Sequence, residues 1–155
     1  MLPKLNLPAA SFRIQNSDEG RSEIFDVVRK KFVALTPEEW VRQHLLHFML
    51  NHKKFPLSLL SVEKQLQLNS TLKRTDILAY SNQLNPVFLA ECKAPEISLD
   101  VKTLEQVMRY NLIFQVPFLM ITNGISHFIF QRTSDGSSWL QSDDFPDYPE
   151  MLKAI

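Results

Sequence analysis

Two apolar strands joined by a polar turn constrain this chain more than any other stretch. Thr75–Tyr80 is apolar and β-branched except for Asp76, and 87–93 is apolar until Glu91 and Lys93. Between them, Ser81-Asn82-Gln83-Leu84-Asn85-Pro86 is rich in turn formers. Paired residues of an antiparallel hairpin keep a constant sum of positions. A turn centred between Gln83 and Leu84 therefore sets Asp76 opposite Glu91 and Arg74 opposite Lys93. Directly opposed Cβ atoms lie about 4.5–5.5 Å apart. Alternation puts Glu91 and Lys93 on one face and Cys92 on the other. Two carboxylates and a lysine thus converge on an apolar hairpin. Desolvated carboxylates are costly unless paired or bound to a metal. One reading is structural, with Lys93 neutralising Glu91 and Arg74 near Asp76. The other is a site built around a cation.

The neighbouring segments carry further blocks. TPEEWVRQH begins at Thr36, KRTDIL at Lys73, ECKAP at Glu91, QVMRYN at Gln106 and ITNG at Ile121. Asp76 followed by Glu91-x-Lys93 on an adjacent strand resembles the PD-(D/E)xK nuclease core. The five blocks in this order, spanning roughly Phe25 to Arg132, resemble the N-terminal nuclease-like domain of type I restriction enzyme R subunits in its small stand-alone form. The resemblance implies an α/β restriction-endonuclease-like core, a central mixed sheet flanked by helices in the order αβββαββ. It implies Asp76, Glu91 and Lys93 as catalytic residues, with Asp76, Glu91 and the carbonyl of Cys92 as ligands of Mg²⁺ or Mn²⁺. Hard oxygen donors suit those ions better than Zn²⁺. Gln106 and Tyr110, four residues apart and stacked on a helix, match the Q-xxx-Y motif that accompanies this core. A glutamate on the first helix assists the metal in many such nucleases, and Glu38 and Glu39 compete for that place.

The remaining elements follow from local signals. Residues 1–35 read as an N-terminal arm packed on the core, largely irregular to Gly20, with Ser11–Gln15 as a short strand and Ile24–Leu35 open between strand and helix. Residues 36–155 read as a single nuclease-like domain. Thr36 caps a first helix, Pro37 fits its first turn and Glu39 sits at the capping-box position. Val41, Leu45, Phe48 and Met49 form its buried stripe. His44, His47 and His52 have a loose metal-like spacing but no acidic partner, so core or surface histidines are expected. In 60–68, Leu60, Val62, Leu66 and Leu68 alternate with Glu63, Gln65 and Gln67. Asn69-Ser70 closes a hairpin that sets Glu63 opposite Asp76, as a third acidic group near the site or an exposed edge residue. Ser98 or Asp100 caps a second helix to about Gln115, with Leu104, Val107, Met108, Leu112 and Ile113 as its buried face. Phe118–Thr122 is a strand, Asn123-Gly124 a turn, and His127–Gln131 another strand. From Thr133 onward the chain reads as loop, anchored by Trp139, Leu140 and Phe145.

Composition narrows the partners. The 17 basic residues balance 17 acidic ones, so no uniformly basic face for nucleic acid is expected. Local patches remain: Arg29-Lys30-Lys31, Lys53-Lys54 and Lys73-Arg74. The single cysteine excludes an intrachain disulfide and a cysteine-rich zinc site; Cys92 reads as a small core residue. The longest apolar run, 116–122, is far below the ~20 residues that span a bilayer, and the start lacks a signal-peptide pattern, so the expectation is a soluble, cytoplasmic protein. These 155 residues hold no helicase motor, so translocation is expected elsewhere. The expected function is metal-dependent phosphodiester hydrolysis of DNA, as an endonuclease in restriction or defence. The alternative is a nuclease-fold module that binds nucleic acid or a partner without cutting. Expected partners are DNA, with RNA kept open, and a larger restriction or defence complex; a homo-oligomer is also kept open.

Overall fold

The structure, a computed structural model, describes residues 2–155. Three strands, β1 (Ile14–Asn16), β2 (Ser22–Asp26) and β3 (Lys31–Ala34), form a small antiparallel sheet in that order. Helix α1 (Pro37–His52) and a 3-10 turn (Leu57–Leu59) follow, then β4 (Leu60–Leu68), β5 (Thr71–Tyr80) and β6 (Pro86–Cys92). Helix α2 (Val101–Phe114) crosses to β7 (Phe118–Thr122), and β8 (His127–Arg132), β9 (Trp139–Ser142) and α3 (Tyr148–Lys153) complete the chain. The main sheet runs β4-β5-β6-β7-β8-β9. Every pair is antiparallel except β6 and β7, which are parallel. A parallel pair needs a crossover of a dozen or more residues, and α2 supplies it.

The two faces of this sheet carry separate cores. Ala90 and Cys92 pack with Val41, Leu45 and Met49 of α1. Leu89 packs with Val107 and Tyr110 of α2. Burial pushes the Cys92 thiol well above its ordinary pKa, with the charge of Asp76 adding to the effect, which agrees with a core role.

The hairpin register holds where it matters. Ile77 faces Ala90 and Leu78 faces Leu89, so Asp76 and Glu91 come next in line. The shift between Ala79 and Tyr80 lies at the turn end and leaves that register intact. In the preceding hairpin, Val62–Ile77 and Lys64–Thr75 bracket Glu63 and Asp76. The expected alternation of β4 fails, however. Leu60 and Val62 pack on the α1 side, while Leu66 and Leu68 pack on the α2 side. Glu63 has φ 54, a left-handed backbone that interrupts the two-residue repeat between them.

Three other expectations change. The N-terminal region is more ordered than the sequence suggests, because β2 and β3 join around a left-handed Lys30 (φ 55). The C-terminal region is not loop-like. Asp147 and Glu150 form a capping box on α3, and Phe145, Tyr148 and Met151 close the α1-side core. Trp139 is partly buried, whereas Leu140 is 63% exposed. On α2, the buried face consists of Thr103, Val107, Tyr110 and Asn111, and Leu112 (74%) and Ile113 (46%) are exposed. The helix is rotated so that Tyr110 and Asn111 face inward, and Asn111 exchanges two hydrogen bonds with the backbone of Val116. No helix among the described residues is long and apolar enough to cross a membrane.

The turn at Asn123-Gly124 holds the N-terminal segment around Asn6. Asn6 N–H donates to the Gly124 carbonyl (2.7 Å) and the Asn6 carbonyl meets His127 Nε2 (2.9 Å). Gly124 has φ +82, and a Cβ there would lie 2.8 Å from Leu5 Cδ2 and 3.1 Å from Val41 Cγ2. Gly124→Ala combines an unfavourable φ with a clash, and is expected to lower unfolding free energy by more than about 1 kcal/mol. Urea unfolding of the variant beside wild type measures this.

Candidate active site

Helix α1 brings a cation to the carboxylates from below the sheet. Thr36 caps the helix by accepting from Glu39 N–H (3.0 Å). The Glu39 side chain does not close a capping box. Its carboxylate accepts from Arg29 (2.7 Å), Gln43 (2.8 Å) and Arg42. Arg42, one turn further on, donates to both Glu39 and Asp76. Glu38 Oε1 lies 3.5 Å from Arg42, on the exposed rim of the group. Burial and then the nearby Asp76 charge raise the pKa of Glu38, which places it at the edge of the acidic cluster.

Asp76 is thereby fully engaged. Oδ1 accepts from Arg42, and Oδ2 accepts from the Cys92 N–H at 2.7 Å. The expected neighbour Arg74 is 60% exposed and lies 3.9 Å from Glu63 instead. Sequence reading missed Arg42 because it sits beside Val41 in an otherwise apolar stripe. The available signal was its spacing of three and four residues from Glu39 and Glu38, which aligns charges on one helix face. Burial works against the Arg42 charge, but Asp76 and Glu39 more than offset it and raise its pKa.

Glu91 occupies a different environment. It is 4% exposed. Oε1 accepts from Gln106 Nε2 (2.6 Å) and lies 3.4 Å from Lys93 Nζ. Oε2 is buried with no hydrogen-bond partner. Burial first, and then the charge of Asp76, pushes the Glu91 carboxyl up to about 9 against the pull of Lys93. Lys93 also donates to Gln106 Oε1 (3.2 Å), and Gln106 Nε2 lies 3.1 Å from the Tyr110 hydroxyl. Burial disfavours the Lys93 charge, yet Glu91 outweighs it and raises the lysine pKa. Asp76, Glu91, Lys93, Gln106 and Tyr110 therefore form one contiguous group, with Cys92 threaded through its backbone.

Glu63 joins through arginines. It bonds to Arg29 at 3.0 Å and lies 3.7 Å from Arg42. Arg29 is the keystone of the N-terminal sheet and not part of a solvated basic face. It also bonds Asp26 (2.7 Å), which is fully buried and accepts from Gln43 (2.9 Å) as well. Burial penalises the Asp26 charge, but the bonds from Arg29 lower its pKa overall. The histidines stand apart. His44 bonds the Trp40 carbonyl (2.8 Å), and the rings of His44 and His47 both pack against Phe12, tilted and edge-on respectively.

The donor set suits a divalent ion in one respect. An orphaned carboxylate oxygen beside a second carboxylate offers hard ligands and an unmet charge. Among the described residues no three His, Cys, Asp or Glu side chains are grouped to hold a metal, so backbone oxygen and water would complete any such shell.

Two measurements check these electrostatics. Glu91 binds a proton more tightly when folded, so its stabilising effect is full below its ordinary value of 4.5 and is lost as pH rises to about 9. His44 and His47 have lowered pKa values through burial, so they destabilise only as pH falls below 6.5. Between pH 6.5 and 9, in chelator, stability is expected to fall with a slope approaching about 1.4 kcal/mol per pH unit, and Glu91→Gln is expected to flatten it. Arg42→Met leaves Asp76 and Glu39 uncompensated and is expected to cost about 3–5 kcal/mol in urea unfolding.

Comparison with known proteins bears on the same region. The profile of the family described as "Type I restriction enzyme R protein N terminus (HSDR_N)" matches residues 37–146. A solved fragment described as an HsdR subunit of a type I restriction enzyme from Vibrio vulnificus YJ016 superposes with a TM-score of 0.53 at 19% identity. The match covers 77% of this chain and 25% of that one, so the chain spans a quarter of the length of that relative. No curated protein matches the chain.

Proposed function

We propose that this chain, which belongs to the type I restriction enzyme R protein N-terminus family, hydrolyses phosphodiester bonds of DNA with a divalent metal. The reading assigns the run α1-β4-β5-β6-α2-β7-β8 to a PD-(D/E)xK nuclease core, with residues 36–155 as the nuclease-like unit and 1–35 as its arm. The observation that carries it is Glu91. A buried carboxyl with an unpartnered oxygen, beside Asp76 and bonded to Gln106 and near Lys93, is a poor structural device and a good half-built ligand set.

Asp76, Glu91 and the Cys92 carbonyl would hold Mg²⁺ or Mn²⁺, which supplies Lewis acidity and lowers the pKa of bound water. Lys93 orients the attacking water and stabilises negative charge developing on the phosphate. Gln106, held between Glu91, Lys93 and Tyr110, fixes both groups and positions the water. Glu38 and Glu63 act from outside the ligand set, through Arg42. DNA is the proposed substrate and a restriction or defence complex the proposed setting, in the cytoplasm.

One observation favours the non-cutting alternative. Arg42 already supplies Asp76 with a cation, so the site is partly neutralised without metal. The two readings separate on nicking of supercoiled plasmid with Mg²⁺ or Mn²⁺. Wild type should nick, Asp76→Ala should not, and Lys93→Met should lose activity by orders of magnitude while keeping its fold, since Met preserves the aliphatic stem. Calorimetry should show Mn²⁺ binding that Glu91→Ala removes. A wild type inert in both metals, with a large metal-independent fall in Tm for Lys93→Met, would leave the binding module.

A further inference from the structure

Lys102, Gln106, Arg109 and Tyr110 follow one another on α2 at spacings of four, three and one, which places them on one helix face. Gln106 and Tyr110 reach the Glu91 cluster. Lys102 and Arg109 stand exposed beside them. Across the gap lies the distal end of the β4–β5 hairpin, which contributes Leu68 and Lys73. Together these six residues line a groove of about 510 Å³, with Glu105 on its wall. That volume is in the range of pockets that take small organic ligands.

The three cations of this groove are free. Among the described residues Lys73, Lys102 and Arg109 enter no ion pair, in common with most of the exposed lysines and arginines; what sets them apart is that they share one concavity. In a chain of zero net charge, three unpaired cations around one concavity are a local surplus, and one carboxylate leaves it positive. The groove opens onto Gln106, which bonds Glu91 and Lys93.

We infer that this groove seats the backbone phosphates of a nucleic-acid strand adjoining the Asp76–Glu91 pair. The identity of the neighbouring site rests on the nuclease reading. A strand of a duplex carries one negative charge about every 3.4 Å of helix axis, so a strand crossing Glu91 brings its next phosphates within a short distance along α2. Lys and Arg contacts to phosphate position a strand without reading its sequence. The Tyr110 and Leu68 side chains supply apolar surface between the charges.

Fluorescence anisotropy with a short labelled DNA duplex, in chelator so that no cleavage occurs, tests this over roughly 50–200 mM salt. The variant is Lys102→Gln with Arg109→Gln, beside wild type and Lys153→Gln on α3 as control. Both substituted side chains are exposed, and circular dichroism confirms the fold. Each phosphate contact contributes about −0.9 to the log–log salt slope. The double variant is expected to reduce the slope by about 2 and weaken low-salt binding about tenfold, equally for two unrelated sequences, while the control binds like wild type. An unchanged slope and affinity, or no binding by wild type, overturns the inference. So does a loss seen only with an acidic peptide as probe, which would assign the groove to a protein partner. If the slope falls while wild type never nicks plasmid, the groove stands and the hydrolytic reading fails. If wild type nicks and the double variant binds and nicks equally well, the reverse holds.

Discussion

Arg42 is the interaction on which the rest of the site depends. Its guanidinium joins Glu39 of α1 to Asp76 of β5, and through Glu39 it connects to Arg29, Asp26 and Glu63. The first helix, the N-terminal sheet and two strands of the main sheet are thereby tied by charge in a largely buried place. Desolvated ions are unfavourable singly, and such a network persists because almost every charge is matched and hydrogen-bonded. Its benefit is geometric. It fixes the position of a carboxylate that packing alone would leave free to rotate.

The same network separates the two acids. Asp76 receives Arg42 and a backbone N–H. Glu91, one strand away, receives only a neutral amide and a more distant lysine. Burial and then the charge of Asp76 raise the pKa of Glu91, so this less supported carboxyl holds its proton. A cation placed between them would remove the penalty on ionised Glu91 and meet its orphaned oxygen. Metal affinity and proton affinity of this site are therefore opposed.

The parallel β6–β7 pair sets where this chemistry sits. Its crossover lays α2 against the face that carries Leu89 and Glu91, so Gln106 falls over Glu91. The opposite face, with Ala90 and Cys92, is sealed by α1, Phe145 and α3. Both faces are apolar cores except where the polar groups collect, Glu39, Arg42 and Gln43 on the α1 side and Gln106 and Tyr110 on the α2 side.

Much of this was determined by local sequence. The hairpin sum rule gave the Asp76–Glu91 register because a turn and a two-residue period are properties of neighbouring residues. Thr36-Pro37 and the capping Asp100 gave the starts of their helices for the same reason. Tertiary structure decided what no local pattern encodes. It rotated α2 until Leu112 faced solvent and Tyr110 the site, flipped β4 at Glu63, and ordered the short elements at either end against the core. Above all it chose Arg42, 34 residues from Asp76 in the chain, as the partner of that carboxylate. Periodicity reports which side of an element is apolar; which charge meets which across the interior depends on how elements pack, and that is settled only when the whole chain is folded.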